Sequence, residues 1–439
     1  MAYVDNYQKY LETVPRSIEK CLQSGKKHFF GYTSNLDVIL AWDAQALSKL
    51  IKNHLLDHPS VTEGETIDSM EDFSRIVTYY VINGLGGEIE VTSLEVCECL
   101  EQSFSTAYWL GGTCAQGASA LNALGFPVVM HLTDKSQEVC SFLNKPGIYL
   151  VDENHLISAG QLKEHTIPIR HMILQYPKGG KIMVNGTEYE IPLSNRLIID
   201  YDKVHKDLPV EKSFLTYCEE HADKLYSYNI SGFNAIVDRE LLKKRLAQLS
   251  RHYETIKIKN PQAFLYLESA HYLNTKCRSM VYQTLAPLID ILGMNEEELV
   301  DLSGQLGFVM DKDSLPSVLD GLELVLSSYH LNGIIMHTKD YSMYYGNAIE
   351  GIDIEQGLTL GNLMSGTRAR TGRYGSYEDL AESLSMNLSE IGVEFARQLK
   401  DLYPKRDVCL VPSRYLKYPK CTIGLGDTFV AGMQICLAK

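Results

Sequence analysis

Positive charge is scarce in this sequence of 439 residues, in which 41 lysines and arginines face 55 aspartates and glutamates, for a net charge of -14 at pH 7. A chain with this balance is not expected to follow nucleic acid or an anionic membrane surface. It also lacks an apolar run near the ~20 residues that cross a bilayer, and a signal-peptide pattern at its start. Its ten cysteines contain no Cys-x-x-Cys pair, as is typical of reduced thiols. We therefore expect a soluble cytoplasmic protein, with no membrane or nucleic-acid partner and an oligomeric state that the sequence leaves open.

The length exceeds what one hydrophobic core usually supports, so two structural units are expected. After residue 210, apolar strand-like segments alternate with helical ones, a rhythm that predicts a parallel sheet. Residues 171–200 are instead strand-like throughout, with turn signals at Gly179-Gly180 and Asn185-Gly186. They predict a small β-rich lid over the sheet.

The predicted boundaries are discontinuous. The large α/β unit is expected to comprise residues 1–36, 61–82, 111–166 and 203–439. The lid is expected to comprise residues 37–60, 83–110 and 167–202.

The strongest chemical signal is Gly424-Leu-Gly-Asp427, just before an apolar segment with helical character. Glycines there leave backbone amides bare at a helix N-terminus, which suits a phosphate group. An acid among those amides stands where a hydroxyl loses its proton during phosphoryl transfer, so Asp427 is a candidate base. The alternative is a tight turn whose Asp caps the helix. Amide donors are also expected to lower the pKa of this acid, which weakens it as a base.

Polar residues at strand ends predict a ligand site in an open α/β sheet. Asn35 and Asp37 follow a short apolar strand, although an Asx turn would use the same residues. Glu88 lies in a glycine-bent segment and suits two sugar hydroxyls, or is simply solvated. The pair Gly111 and Gly112 precedes a small-residue helix and predicts either a second set of bare amides or close helix packing.

Three oxygen-bearing residues at the ends of two later strands suit Mg²⁺, held directly or through water. They are Glu268, Asn295 and Glu298. The pattern Asn295-x-x-Glu298 before an apolar run also matches a helix capping box, and taken alone it favours that structural role.

Together and in this order, the motifs resemble the ADP-dependent sugar kinases, the glucokinase and phosphofructokinase branch of the ribokinase-like superfamily. The resemblance runs from the segment Gly31–Asp37 to Gly424–Asp427, and it is most specific at Asn295-x-x-Glu298 and in the segment Pro419–Thr428. One departure is Tyr266, which stands two residues before Glu268 where the family pattern has histidine.

The resemblance implies a ribokinase-like α/β fold, with a mostly parallel central sheet flanked by helices and a smaller β-rich lid. It implies Asp427 as base, the amides of Gly424 and Gly426 as an anion hole, and Mg²⁺ or Mn²⁺ at Glu268, Asn295 and Glu298 beside ADP. It further implies sugar-binding positions at Asn35, Asp37, Glu88, Gly111 and Gly112, a lid arginine at Arg196, and an adenine pocket near His337, Thr338 and Pro412.

The implied activity is transfer of the β-phosphoryl group of ADP to a hexose hydroxyl, which leaves AMP. Two other functions fit: an ATP-dependent kinase for another alcohol, such as a nucleoside, and a ligand-binding protein without turnover. For the acceptor, Glu88 favours a free hexose such as glucose. Lys178 and Arg196 would instead suit the phosphate of fructose 6-phosphate.

Overall fold

Two β-sheets, one of ten strands and one of five, organise the computed structural model, which describes residues 2–62, 64–272 and 274–438. The strands are β1 (Lys27–Gly31), β2 (Asn35–Leu40), β3 (Gly87–Glu90), β4 (Thr106–Gly111), β5 (Val128–Met130), β6 (Ile148–Asp152), β7 (His155–Ile157), β8 (Arg170–Tyr176), β9 (Lys181–Val184), β10 (Thr187–Glu190), β11 (Asn195–Tyr201), β12 (Leu225–Ile230), β13 (Phe264–Glu268), β14 (Ile291–Asn295), β15 (Gly333–His337), β16 (Tyr341–Gly346) and β17 (Asp407–Pro412). The helices are α1 (Ala2–Ser24), α2 (Ala44–His54), α3 (Met70–Asn83), α4 (Leu94–Ser103), α5 (Thr113–Ala123), α6 (Gln137–Leu143), α7 (Lys212–Glu220), α8 (Arg239–Lys259), α9 (Thr275–Leu285), α10 (Glu296–Gln305), α11 (Leu315–Tyr329), α12 (Ile354–Thr371), α13 (Tyr377–Ser383), α14 (Glu390–Gln398) and α15 (Leu425–Met433).

The large sheet has the order β17-β16-β15-β14-β13-β12-β1-β5-β6-β7. Its central strands, from β15 to β6, are all parallel, and antiparallel pairs occur only at its two edges among the described strands. Each of the six residues of β12 is buried, which is typical of a strand covered on both faces. The alternation after residue 210 therefore predicted this part of the sheet correctly.

The smaller sheet has the order β3-β11-β8-β2-β4 and forms the lid. The hairpin β9-β10 turns at Asn185 and Gly186, whose φ angles of 49° and 84° are those of the predicted two-residue turn. The hairpin lies against α2, where the Met183 amide donates to the Ser48 hydroxyl at 3.0 Å.

Residues 61–82, predicted to be part of the large unit, contact elements of the lid region. Ile67 forms a parallel bridge to Val91 beside the lid sheet, and the Ser74 hydroxyl donates to the Leu50 carbonyl oxygen on α2. Helix α3 thus packs against α2. The amphipathic pattern of α3 specified a helix with one buried face but not the sheet that this face covers.

The chain crosses between the two sheets at 32–34, 112, 158–169 and 202–224. These crossings leave a cleft between the lid and the carboxyl ends of the parallel strands, which is where open α/β sheets bind ligands. In the part of the chain that the structure describes, no helix combines the length and apolar character needed to cross a membrane.

Candidate active site

The N-terminus of α15 lies at the centre of the cleft. Gly424 precedes the helix with a φ of 67°, a left-handed conformation that favours glycine. A Cβ at this position would overlap the side-chain oxygen of Gln116 and lie 2.8 Å from the Arg368 guanidinium. Gly426 and Asp427 occupy the first helical turn, where backbone amides have no intrahelical acceptor. This turn can therefore bind an anion.

Asp427 is not the N-cap of α15, since Gly424 holds that position. Burial, opposed by the nearby Arg368 guanidinium, raises the pKa of the Asp427 carboxyl to about 6. A hydrogen bond from the Thr113 side chain only partly offsets this rise. The predicted lowering of this pKa is thus wrong, because desolvation outweighs the donors around the carboxylate. Asp427 is ionised at neutral pH and is a stronger base than an exposed aspartate.

Arg368, on α12, is the main residue of the site that the sequence analysis missed. Its side chain is 2% exposed, and it donates to the Ile423 carbonyl oxygen at 2.8 Å and to Gln116 Oε1 at 2.7 Å. Its guanidinium also stacks 4.3 Å from the Tyr374 ring centroid. The residue fixes the backbone that leads into Gly424. Its only sequence signal is a cation among the apolar positions of a helix.

A first cavity, of about 310 Å³, lies between the lid and α15. Its lid-side lining includes Asn35, Asp37, Glu88, His171 and Arg196, and its other side includes Gly112, Thr113, Gln116, Gly424 and Asp427. Most of the predicted sugar-binding residues therefore surround one space next to the candidate base.

Asn35 and Asp37 belong to β2, so the Asx-turn alternative is wrong. Both are buried, and Asn35 Nδ2 donates to Asp37 Oδ1 at 2.7 Å. Gly111, directly opposite Asn35 on β4, does not line the cavity, but a Cβ there would overlap both side chains. Burial raises the pKa of Asp37, and the nearby His171 acts in the opposite direction.

Of the three residues predicted to select the acceptor, Glu88 and Arg196 lie together and Lys178 lies apart. Glu88 lies on β3 opposite Ile198 of β11, and both line the first cavity together with Arg196. Lys178 is exposed on the turn after β8, where its amide donates to the Ser194 hydroxyl at 2.8 Å. It is not among the described residues that line this cavity.

A second cavity, of about 450 Å³, lies on the other side of the α15 N-terminus. Its lining includes Asn295, His337, Thr338, Gly426 and Phe429, together with the cations Arg414 and Lys417. Pro412 is the residue before Ser413 of this lining, and its carbonyl oxygen accepts a hydrogen bond from the Tyr7 hydroxyl at 2.8 Å. The predicted nucleotide residues thus lie in or beside one cavity.

Two carboxylates hydrogen-bond residues that line this second cavity. Glu268 accepts hydrogen bonds from the Tyr266 hydroxyl at 3.0 Å and from His337 Nε2 at 2.9 Å. Glu298 and Asn295 form a complete capping box, which confirms the structural alternative for this motif. Burial, reinforced by the charge of Glu268, raises the pKa of Glu298 to about 7. The metal role of these residues remains a prediction.

His171, Asp202 and His205 form a cluster at the lid side of the first cavity, and the sequence analysis missed all three. His171 lies on β8 opposite Asp37, and the other two follow β11. The period of two along β8 places His171 on the same face as Ile173, but no sequence signal connects it to residues some 30 positions later.

Comparison with known proteins identifies the relatives of this chain. The family model described as "ADP-specific Phosphofructokinase/Glucokinase conserved region" matches residues 26–435. An ADP-dependent glucose/glucosamine kinase of Pyrococcus abyssi is 24% identical over 98% of this chain and 97% of its own length. An ADP-specific phosphofructokinase of Pyrococcus furiosus is 22% identical over 92% of this chain and 95% of its own length.

Solved structures show the same architecture. The last common ancestor of ADP-dependent phosphofructokinases from Methanosarcinales superposes with a TM-score of 0.82 at 19% identity, over 100% of this chain and 98% of that one. A phosphofructokinase from Pyrococcus horikoshii with AMP gives a TM-score of 0.78 at 18% identity, over 94% and 98% of the two chains. The predicted ribokinase-like α/β fold is confirmed.

Proposed function

Because the chain belongs to the family of ADP-specific phosphofructokinases and glucokinases, we propose that it transfers the β-phosphoryl group of ADP to a hexose hydroxyl, giving AMP and a sugar phosphate. The observation that carries this proposal is the position of the α15 N-terminus between two cavities. Asp427 and Gly424 line the cavity under the lid, and Gly426 lines the other. A phosphoryl group at this helix end could pass from a donor on one side to an acceptor on the other.

Each residue then has a definite task. Asp427 accepts the proton of the acceptor hydroxyl as the phosphoryl group is transferred. The amides at Gly424 and Gly426 stabilise the negative charge on that group, and Arg196 approaches it from the lid. His337 and Thr338 border the nucleotide, and the lid excludes water that would otherwise hydrolyse it.

The donor atoms near the second cavity fit a divalent cation. Glu268 and Glu298 are two carboxylates close enough that the charge of one raises the pKa of the other, a repulsion that a cation relieves. The Asn295 amide donates to Glu298 Oε2, and the Ser269 side chain also hydrogen-bonds this carboxylate. The lone pairs that remain on the carboxylate can bind an ion or its water shell. Mg²⁺ or Mn²⁺ bound there would supply positive charge beside the diphosphate of ADP.

For the acceptor we propose an unphosphorylated hexose, because Glu88 and Asp37 both line the first cavity and can accept hydrogen bonds from sugar hydroxyls. Fructose 6-phosphate is the second candidate, and the observation in its favour is that Arg196 and His171 line the same cavity. Relatives named for either activity match over nearly the whole chain.

The decisive experiment is a donor-by-acceptor screen. ADP or ATP would be combined with glucose, glucosamine, fructose 6-phosphate or a nucleoside, and AMP, ADP and inorganic phosphate would be measured. The proposal requires AMP formation that depends on both ADP and a hexose. Turnover with ATP alone, or sugar binding without turnover, would replace it with one of the other two functions.

Two variants separate the acceptors. With a free hexose, Glu88→Ala should raise the acceptor KM strongly, and Arg196→Ala should act mainly on kcat. With a sugar phosphate, Arg196→Ala should cost about 2–5 kcal/mol in kcat/KM through the lost charge partner. Lys178→Ala, outside the cavity, is the matched control for the removal of a lid cation. Turnover of fructose 6-phosphate but not glucose would show that the free-hexose proposal is wrong.

A further inference from the structure

His171 reaches the first cavity from the centre of the lid sheet. It lies on β8 in register with Asp37 of β2 on one side and Asp200 of β11 on the other. Its Nε2 atom is 3.7 Å from Oδ2 of Asp202, the residue that follows β11. At this distance the imidazole and the carboxylate attract each other as an ion pair, and the ring can still offer an N–H group to an acceptor oxygen.

The carboxylate of Asp202 is held in one orientation. Its Oδ1 atom accepts hydrogen bonds from the backbone amides of Val204 and His205, each at 2.9 Å. Its Oδ2 atom shares a hydrogen bond of 2.6 Å with His205 Nδ1. Asp202 is 7% exposed, so few other partners compete for these oxygens. Oδ2 is therefore fixed at the position that faces His171.

The second nitrogen of His205 connects this arrangement to the large unit. His205 Nε2 lies 2.9 Å from the Thr133 hydroxyl, beyond the end of β5. That hydroxyl accepts the Ser34 amide at 2.9 Å and can donate to the Ser34 carbonyl oxygen at 3.2 Å. Because His205 Nδ1 donates to Asp202, Nε2 of the neutral ring accepts a hydrogen bond from the Thr133 hydroxyl, whereas Nε2 of a doubly protonated ring donates to it.

All four segments in which the chain crosses between the sheets meet near Ser34. Ser34 itself belongs to the first of these crossing segments. Gly112, in the second, packs so closely that a Cβ would lie 2.7 Å from Ser34 Cα. The third crossing is connected to Ser34 through Asp134. The Asp134 amide donates to Ser34 Oγ at 2.9 Å, and Asp134 Oδ2 accepts a hydrogen bond from the amide of Ile169, in that crossing, at 2.8 Å. The fourth is joined through His205 and Thr133. The Asp202–His205 pair thus links the cavity to the base of the lid.

We propose that Asp202 and His205 are positioning residues: Asp202 holds the His171 ring toward the acceptor, and His205 fixes Asp202 against the Ser34–Thr133 contact. This inference rests on the proposed function for the identity of the acceptor, but the arrangement of the three side chains does not depend on it. The ligand group that His171 would meet is an electron-rich oxygen, either a sugar hydroxyl or a sugar phosphate.

The charges around His171 agree with this role. Burial alone would lower its pKa, but Asp202, Asp37 and Glu88 outweigh it and raise the pKa to about 9. Asp200, from β11, also faces the ring, and its own pKa is raised to about 7 by burial. Burial likewise opposes the ionisation of Asp202, yet hydrogen bonds with both imidazoles hold its pKa well below the usual range.

A metal site is the competing explanation, since ligand atoms of His171, Asp202 and His205 lie within 4.8 Å of one another. The contact of 2.6 Å between His205 Nδ1 and Asp202 Oδ2 favours a hydrogen bond. Two ligand atoms on a tetrahedral Zn²⁺ would lie roughly 3.3 Å apart.

The test compares the wild-type protein with Asp202→Asn, His205→Asn and His205→Leu. The control is His252→Gln, which removes a buried imidazole on α8 that pairs with Glu219 of α7 at 2.8 Å. NMR would follow the His171 ring through a pH titration, and steady-state kinetics would give separate KM values for acceptor and ADP. Asp202→Asn should lower the His171 titration midpoint by at least one pH unit. It should also raise the acceptor KM about 10- to 100-fold, the size expected for a lost charged hydrogen bond, with the ADP KM unchanged.

His205→Asn can still donate toward Asp202 and should retain more acceptor affinity than His205→Leu, whereas the control should match the wild type. An unchanged His171 midpoint, equal changes in both KM values, or a midpoint that shifts when a chelator is added would overturn the proposal. If the wild type shows no kinase activity, the proposed function fails, but the His171 titration and acceptor binding by calorimetry still decide this inference.

Discussion

Asp427 shows how one residue's surroundings decide its chemistry. The sequence Gly424–Asp427 was compatible with two roles for Asp427, a helix cap or a catalytic base, and the nearby amide donors predicted a lowered pKa for its carboxyl. The folded chain instead buries the carboxyl between Arg368 and the first cavity, so its pKa rises to about 6. Burial makes the Asp427 carboxylate a better proton acceptor, but it also destabilises the charged form because that form is partly desolvated.

Asp427→Asn should lower kcat about 10²–10⁴-fold and leave ADP affinity nearly unchanged, because the amide keeps the size of the side chain but cannot take a proton. Turnover assays and calorimetry with ADP would measure the two effects. A variant with near-normal kcat would show that Asp427 is not the base.

The pH dependence follows from the same raised pKa. A base must be deprotonated, so kcat/KM of the wild type should rise with pH through about 6 and then level off. A profile that is flat between pH 5 and 8 would contradict this prediction.

Ionisation of Asp427 should also reduce stability. The folded state binds this proton more tightly than the unfolded state does, so the free energy of unfolding falls as pH rises from 3.8, the ordinary pKa of an aspartate, to about 6. Asp427→Asn should therefore be more stable than the wild type at pH 7, by about 1–3 kcal/mol, and equally stable below about pH 4. Urea unfolding at both pH values would test the sign.

At the scale of secondary-structure elements, the sequence predicted the structure correctly where its pattern alone determines what the element packs against. Strands such as β13 begin with a continuous apolar run, and a parallel sheet accounts for them without further information. Strand β16 falls outside the predicted alternation of strands and helices because it follows β15 with no helix between them, as an antiparallel strand near the sheet edge. The amphipathic face of helix α3 fits either unit, so the sequence does not specify which of the two this helix covers.

The residues of the candidate site also fall into two groups, those that the sequence predicted and those that it did not. Glycines and acids in short motifs, such as Gly424–Asp427, were recognisable because their chemistry is local. Arg368 was not, because its partner Gln116 is 252 positions away. The Asp202–His205–Thr133 contacts were missed for the same reason, since only the fold brings these elements together.

Gly424→Ala tests the conformation at the start of α15. It should lower kcat about 100-fold, since the new Cβ displaces the turn that presents the amides. The matched control is Gly25→Ala, because Gly25 has a φ of 68° and open space around its Cβ position. Both variants should lose about 1–3 kcal/mol of stability from backbone strain, but only Gly424→Ala should lose activity. Equal kcat values would show that the turn geometry does not matter for the reaction.

Glu298→Gln separates the two roles of the capping box on α10. A glutamine oxygen can still accept the Asn295 amide, so the helix should keep its stability. The Mg²⁺ or Mn²⁺ concentration needed for half-maximal activity should rise, because a neutral oxygen replaces a charged one. Glu297→Gln, on the same turn but exposed, is the control. An unchanged metal requirement with a lower melting temperature would leave Glu298 a purely structural role.

At the scale of the whole molecule, the two cavities differ in what they connect. The first cavity has walls from both the lid and the large unit, whereas the described lining of the second comes only from residues 295–429. A ligand in the first cavity therefore contacts both the lid and the large unit across the cleft, whereas a ligand in the second cavity contacts only one side of the cleft. The acceptor is thus expected to control closure of the lid.

Both tryptophans of the chain, Trp42 and Trp109, belong to the lid region, and Trp109 lies directly opposite Asp37 in the lid sheet. Acceptor binding should therefore change the tryptophan fluorescence and reduce the radius of gyration in X-ray scattering, whereas ADP alone should change neither appreciably. Glu88→Ala should require a higher acceptor concentration for the same response, because one wall of the bridged cavity has lost a hydrogen-bonding group. A full fluorescence and scattering change with ADP alone would contradict acceptor control, and would mean that Arg196 on the lid responds to the nucleotide phosphates before the acceptor arrives.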